Sequence, residues 1–250
     1  MKKINNIGLA GLIFASGIVA PSLMADTVVL TQGPFAYSDG GEFTAVTTPT
    51  LADLGAYSPY TSTATSFQTF CVQDTTDFQP GVSYYYTLSS ISLGGPGFPG
   101  GNVGVGSPNS YPLSEGTAWL YSQFALGTLG GYDFANTLSD RQTDAGLLQS
   151  AIWALQGGQV DPGYPSGTAG NIYYTEALAA LGANLNTAAT KSTDFGVQIM
   201  NLMDADGGNY QNQLIYTGVP DGGATVALLC LGLAGLAGFS RKSSASKRSS

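Results

Sequence analysis

No histidine occurs anywhere in the 250 residues. That absence removes Ser-His-Asp and Cys-His catalysis in their usual forms, and every zinc or iron site that needs an imidazole. Cysteine is nearly as scarce, with only Cys71 and Cys230. Cys230 lies within an apolar run and reads as a small hydrophobe, so Cys71 has no partner for an intramolecular disulfide. A lone cysteine of that kind is either a buried structural thiol or a reactive one. Positive charge is the third shortage. Of eight Lys and Arg, two are Lys2 and Lys3 and four lie beyond residue 240, leaving Arg141 and Lys191 between. Fifteen of the sixteen acidic residues fall in that same middle stretch, so residues 26–218 carry a net charge of −13. Such a surface repels nucleic acid, which its binders meet with a basic patch. The acidic residues are scattered and aromatics make up 11% of the chain, a composition that folds rather than staying disordered.

What is present at the two ends is patterned for membranes. Lys2 and Lys3 precede an apolar stretch from Ile7 to Ala20, and Ser22-Leu23-Met24-Ala25 offers a small residue at which to cleave. Residues 1–25 therefore read as a secretory signal peptide, with Pro21 disfavouring cleavage after Ala20. At the other end, Val219, Pro220, Asp221, Gly222 and Gly223 form a turn, and Ala224 to Phe239 is uncharged. Arg241, Lys242, Lys247 and Arg248 close the chain with positive charge, which holds that end on the cytoplasmic side. Sixteen helical residues span about 24 Å, short of the roughly 30 Å hydrocarbon core, so the run suits a processing signal better than a permanent anchor.

This motif, apolar run and basic end resemble the PEP-CTERM class of sorting signals, and most closely its VPDSG variant. Val219, Pro220, Asp221 and Gly223 match that variant, while Gly222 stands where it has Ser. The resemblance implies an exosortase-type processing protease and the secretion machinery as partners. It also implies passage through the membrane by the C-terminal helix, then the cell surface or the extracellular space. The alternative is an ordinary tail-anchored or single-span protein; a sortase substrate is disfavoured because no LPxTG-like sequence is present.

The middle, residues 26–218, is long enough for one domain with a proper core, or for one domain with a small subdomain. TVVL, FAY and EFTAVTT read as strands joined by Gly/Asp turns, Thr65 to Val72 as a short strand delivering Cys71, and Val82 to Leu93 as β-rich. Gly94 to Pro112 has no periodicity and reads as a long loop. Ser114 caps a helix to about Leu126, and Ser139 opens a capping box with Gln142 for a helix to Gln156. A third helix covers roughly Tyr174 to Ala188. Asp194 to Met203 is ambiguous between helix and strand, and Gln211 to Thr217 reads as a closing strand. The expected fold class is α+β: a β-rich domain, sandwich or barrel-like, with a helical insertion. A signal peptide and a hydrophobic sorting helix flank it.

On the second helix, Leu147, Leu148, Ala151, Ile152 and Leu155 share one face. Gln142, Gln149, Trp153 and Gln156 form a second stripe that is odd for a merely solvated surface. The run Leu148-Gln149-Ser150-Ala151-Ile152-Trp153 resembles the Gln-containing TQxAIW motif of bacterial thioester domains. Phe70-Cys71-Val72-Gln73 resembles their Cys motif, departing at Gln73 where an acid is usual, as Leu148 departs from the family's Thr. The resemblance implies an internal thioester between Cys71 and Gln149, an acyl donor to an amine or hydroxyl on a target surface. Read from the residues alone, Cys71 is equally a packed thiol and Gln149 a satisfied core amide.

Asp204-Ala205-Asp206-Gly207-Gly208-Asn209 lacks the third ligand and the later Glu of a calcium loop and reads as a turn, so no metal or cofactor is expected. Asp74 and Asp77 lie near Cys71, but no apolar setting separates them into acid and base. Tyr84 to Tyr86 alternate between core and surface. The reading is a non-enzymatic exported surface or matrix protein with no catalytic residues. It is adhesive towards a host, surface or exopolysaccharide ligand, with the Cys71–Gln149 thioester for covalent attachment. The alternative is a secreted hydrolase of extracellular polysaccharide or protein.

Overall fold

The computed structural model describes residues 26–38, 40–49, 63, 65–74, 76–93, 110–135, 138–158, 165–191 and 193–218. The expected signal peptide, most of the expected loop from Gly94 to Pro112, Val219 to Gly223 and the apolar run that follows them lie outside the described residues. Among the described residues, eight strands and three α-helices are laid out in the order β1 (Thr27–Tyr37), β2 (Gly40–Thr48), β3 (Ser66–Thr69), β4 (Ser83–Ser89), β5 (Ile91–Leu93), β6 (Ser110–Pro112), α1 (Glu115–Ala125), α2 (Leu138–Leu155), α3 (Ile172–Leu181), β7 (Val197–Met203) and β8 (Gln213–Tyr216). The helices thus fall between two groups of strands, as the sequence predicts.

Six strands form one antiparallel sheet in the order β3-β2-β1-β4-β7-β8, and β5 and β6 make a separate two-stranded ribbon. TVVL and FAY are one strand, not two. Their pairing with β2 slips between Gln32 and Ala36, around Gly33-Pro34, where proline has no N–H to give the ladder. Residues Val197–Met203 resolve as a strand because alternate side chains serve two cores: Val197 and Ile199 one, Met200 and Leu202 the other.

Those two cores explain the architecture. Every strand of the six contributes to the cluster of Val28, Leu30, Ala45, Phe67, Tyr84, Tyr86, Met200, Leu202 and Ile215, so the sheet curls around its own concave face. The helices cover the other face through Leu120, Phe124, Leu148, Ile152 and Leu155, packed on Phe70, Val197, Ile199 and Leu214. The curl brings the two edges together at one isolated antiparallel bridge, Cys71 to Gln213. No sheet among the described residues closes into a barrel, because β3 ends at Thr69 and the edges meet at a single backbone bridge rather than along a ladder. Nor do the described residues form a sandwich, since their second sheet has two three-residue strands.

Local signals account for the helix ends unevenly. Ser114 caps α1, its side chain accepting from Thr117 N–H, and Asn171 caps α3 by accepting from Tyr173 and Tyr174 N–H. Helix α3 ends at Leu181 and passes into a 3-10 turn at Gly182–Asn184, short of the expected Ala188. Helix α2 begins at Leu138, so Ser139 lies inside it and the expected capping box is absent. The Gln142 amide instead donates to Pro34 O at 3.0 Å, tying the helix to β1.

Candidate functional site

Cys71 follows β3 and continues its alternation. Phe70 and Val72 point into the helix-side core, where Phe70 meets Phe124 edge-on at 5.0 Å between ring centroids. Cys71 points the other way, packed with Phe43 and Trp153, and is wholly buried. On one side the segment pairs with β8: Leu214 N–H donates to Phe70 O at 3.1 Å and Val72 N–H donates to Asn212 O at 2.9 Å. In an antiparallel pair the intervening residue turns its own N–H and C=O outward. For Cys71 those two groups face the interior, where each must find a partner.

Gln149 supplies both. Cys71 N–H donates to Gln149 Oε1 at 3.0 Å, and Gln149 Nε2 donates to Cys71 O at 2.8 Å. A carboxamide carries the same donor and acceptor pair as a peptide unit, so the side chain stands in for a missing strand. Gln149 is fully buried. The structure therefore brings together the two residues that the sequence singles out, although they lie 78 positions apart.

Two contacts fix the helix that carries Gln149. Gly146, one turn earlier, lies against the Tyr37 ring so closely that a Cβ there would fall 2.6 Å from Tyr37 Cγ. Two turns before Gln149, Arg141 makes a bidentate pair with Glu42 of β2, Nε to Oε1 at 2.7 Å and Nη2 to Oε2 at 2.9 Å. Tyr132 donates its hydroxyl to the same carboxylate, and the guanidinium lies 4.2 Å from the centroid of the Phe35 ring. Burial and the Glu42 charge together push the Tyr132 hydroxyl well above its ordinary range. Sequence reasoning missed this pair; the signal available was that Arg141 is one of two cations in an otherwise acidic domain.

Of the rest of the polar stripe, Trp153 and Gln156 are also inside, while Gln142 is half-buried. Gln156 accepts from Ser114 N–H at 2.8 Å, joining α2 to the start of α1, and Trp153 packs on Cys71. Gln73 holds β8: its Oε1 accepts from Asn212 N–H at 2.8 Å, and its carbonyl accepts from Gln211 Nε2 at 2.7 Å. Leu148, the other departure, is a buried core residue.

Burial pushes the Cys71 thiol up to about 12; Gln213 opposes the shift by donating Nε2 to Sγ at 3.4 Å, and the Asp77 charge adds to it. Sequence reasoning also missed Gln213. Its only advance signal is the run Gln211-Asn212-Gln213, unusually polar for a closing strand.

Above the aromatic layer lies a cleft of about 320 Å³ lined by Gln32, Phe43, Asp77, Phe78, Pro80 and Gln211. Phe43 and Phe78 pack edge to face at 4.9 Å and separate it from Cys71. Asp77 thus borders this cleft. Elsewhere, Asp204 accepts N–H bonds from Asp206 at 2.9 Å and Gly208 at 2.7 Å, which hold its carboxyl below the usual range; it shapes the turn after β7. No group of three or more metal-ligating side chains occurs among the described residues. No helix among them is long and apolar enough to cross a membrane. Tyr84 and Tyr86 are buried and Tyr85 is exposed, as strand alternation requires.

The chain leaves this domain at β8, and the motif begins two residues later. Residues 218–243 match the VPDSG-CTERM motif. The segment is a sorting signal of the PEP-CTERM type, which marks an exported chain, associated with the membrane and then with the cell surface. Its processing partner is an exosortase, a membrane protease. No curated protein and no solved structure matches the chain.

Proposed function

We propose that the exported domain closes an internal thioester between Cys71 Sγ and Gln149 Cδ and uses it for covalent adhesion at the cell surface. The observation that carries this reading is the two-point docking of the Gln149 carboxamide on the Cys71 backbone. In the closing step the Sγ–Cδ bond forms, the Cδ–Nε2 bond breaks, and the thiol proton leaves on ammonia. Charge develops on Gln149 Oε1 as sulfur adds, and Cys71 N–H already points at that oxygen, the arrangement of an oxyanion hole. Nε2, the departing nitrogen, is held by Cys71 O on the opposite side.

A thiol pushed up to about 12 contains little thiolate at neutral pH. Proximity and exclusion of water then supply what a histidine base would otherwise give. The closed bond is an acyl donor. A primary amine or hydroxyl that reaches Cδ takes the acyl group and returns the thiol, leaving the target joined through the former Gln149 side chain. The protein makes one such bond and does not turn over, so it is an adhesin rather than an enzyme. Export and surface sorting place it where a host surface, a neighbouring cell or an exopolysaccharide provides the acceptor.

Intact mass of the purified domain tests this. Wild type is expected to be lighter by one ammonia than its sequence requires, and Cys71→Ala is expected to have its full sequence mass. A wild type of full mass defeats the covalent reading.

A further inference from the structure

The sulfur of Cys71 has a partner that the thioester motifs do not contain. Gln213 lies directly across the bridge joining the two sheet edges, and it is wholly buried. Its Nε2 donates to Cys71 Sγ at 3.4 Å and to Gln211 O at 3.3 Å. The carbonyl of Gln211 accepts only, so it fixes which end of the Gln213 amide faces the sulfur: the donor end. Gln213 Oε1, also buried, has no hydrogen-bond partner among the described residues.

We propose that Gln213 is a positioning residue for the Cys71 sulfur, holding it as an acceptor and so setting how fast the thioester closes and opens. A buried acceptor without a donor costs free energy. Leucine or methionine of similar length would fill the same space without that oxygen, so packing alone does not account for a glutamine. Its distinguishing property is the N–H presented to sulfur. Thiolate and thioester sulfur accept and have no proton to donate, whereas a thiol does both weakly. A fixed donor therefore favours the two unprotonated forms.

The inference rests on the thioester reading, and its chemistry follows from that step. During closure Gln213 stabilises the sulfur as it loses its proton to the departing ammonia. During opening an amine nitrogen attacks Gln149 Cδ, the C–S bond breaks, and sulfur leaves as thiolate beside the same N–H. The proton released by the attacking amine ends on sulfur. Gln213 neither gains nor loses a proton in either direction.

Two measurements on the purified domain test it, using Gln213→Met, which keeps the length and removes the donor, and Gln213→Glu as a second variant. In the first, methylamine opens the thioester and mass spectrometry follows its incorporation. Loss of a hydrogen bond to a charged group slows opening by about 10- to 100-fold. In the second, iodoacetamide alkylates the free thiol in a Gln149→Ala background, where no thioester can form. Gln213→Met is expected to slow alkylation by a similar factor. A merely structural role predicts the reverse, since loosening the site exposes the thiol and speeds alkylation. Alkylation at an unchanged or faster rate in both variants overturns the inference. A wild-type domain of full sequence mass would sink the thioester instead, and the alkylation comparison would still decide the role of Gln213.

Discussion

Gln149 answers two backbone groups at once, and the cost of losing it is set by what it leaves behind. Relative to the open form, with its carboxamide intact, Gln149→Leu keeps the volume but orphans Cys71 N–H and C=O, both buried. At about 1–3 kcal/mol for each unsatisfied group, the variant loses about 2–6 kcal/mol, measurable by urea denaturation. Cys71 adds a pH dependence with a definite sign. Its thiol ionises at 9.0 when unfolded and at about 12 when folded. Above pH 9.0 the unfolded chain sheds its proton first, so the stabilisation is complete below that pH and is lost as pH rises towards 12. The slope is about 1.4 kcal/mol per pH unit across the window. Cys71→Ala lacks this contribution, and so does a domain whose thiol is locked in a thioester; urea midpoints across the window measure the difference. At this scale Cys71 was legible because cysteine is rare in the chain, and Gln149 because it stood in a recognisable run. Gln213 was not, because a glutamine in a strand reads as solvated until the fold puts it indoors.

Helix α2 delivers Gln149 to the right height through contacts at its other end. Gly146→Ala places a methyl group against the Tyr37 ring, whose nearest carbon would lie at 2.6 Å. Because the ring belongs to β1, the helix must lift away, carrying Gln149 off the Cys71 backbone. We expect a loss of about 1–3 kcal/mol, typical of an overpacked core, together with faster alkylation of Cys71. Glu42 and Arg141 clamp the same helix to β2. Removing one partner, as in Arg141→Met, leaves a buried carboxylate without its cation and costs about 3–5 kcal/mol. The double variant Glu42→Leu with Arg141→Met is expected to recover much of that loss in the same denaturation assay, since it leaves no buried charge unpaired. Helix α1 was readable from its Ser114 cap. The start of α2 was not, because Ser139 and Gln142 fit a capping pattern while tertiary contacts used Gln142 for Pro34.

The whole molecule divides its labour between a folded middle and a C-terminal segment that carries the sorting motif. Alternating strands were legible along β2 and β4, yet the curl of the sheet was not. It depends on which alternate residues from six strands share one interior, and that is a property of pairing rather than of any segment. The same curl makes the site, since Cys71 and Gln213 sit where the first and last strands of the sheet touch. Sorting is separable from this chemistry. Asp221→Ala within the matched motif is expected to leave the chain in the membrane fraction at unprocessed mass, with the Cys71–Gln149 site unaffected. Fractionation and immunoblotting of cells expressing the variant check this.

Peptide mapping of the exported domain under non-reducing, amine-free conditions addresses the central claim most directly. The account predicts one linked species in which the fragment holding Cys71 is joined to the fragment holding Gln149, absent from Cys71→Ala. Recovery of the two fragments separately, one with a free thiol and the other with an intact carboxamide, would contradict it.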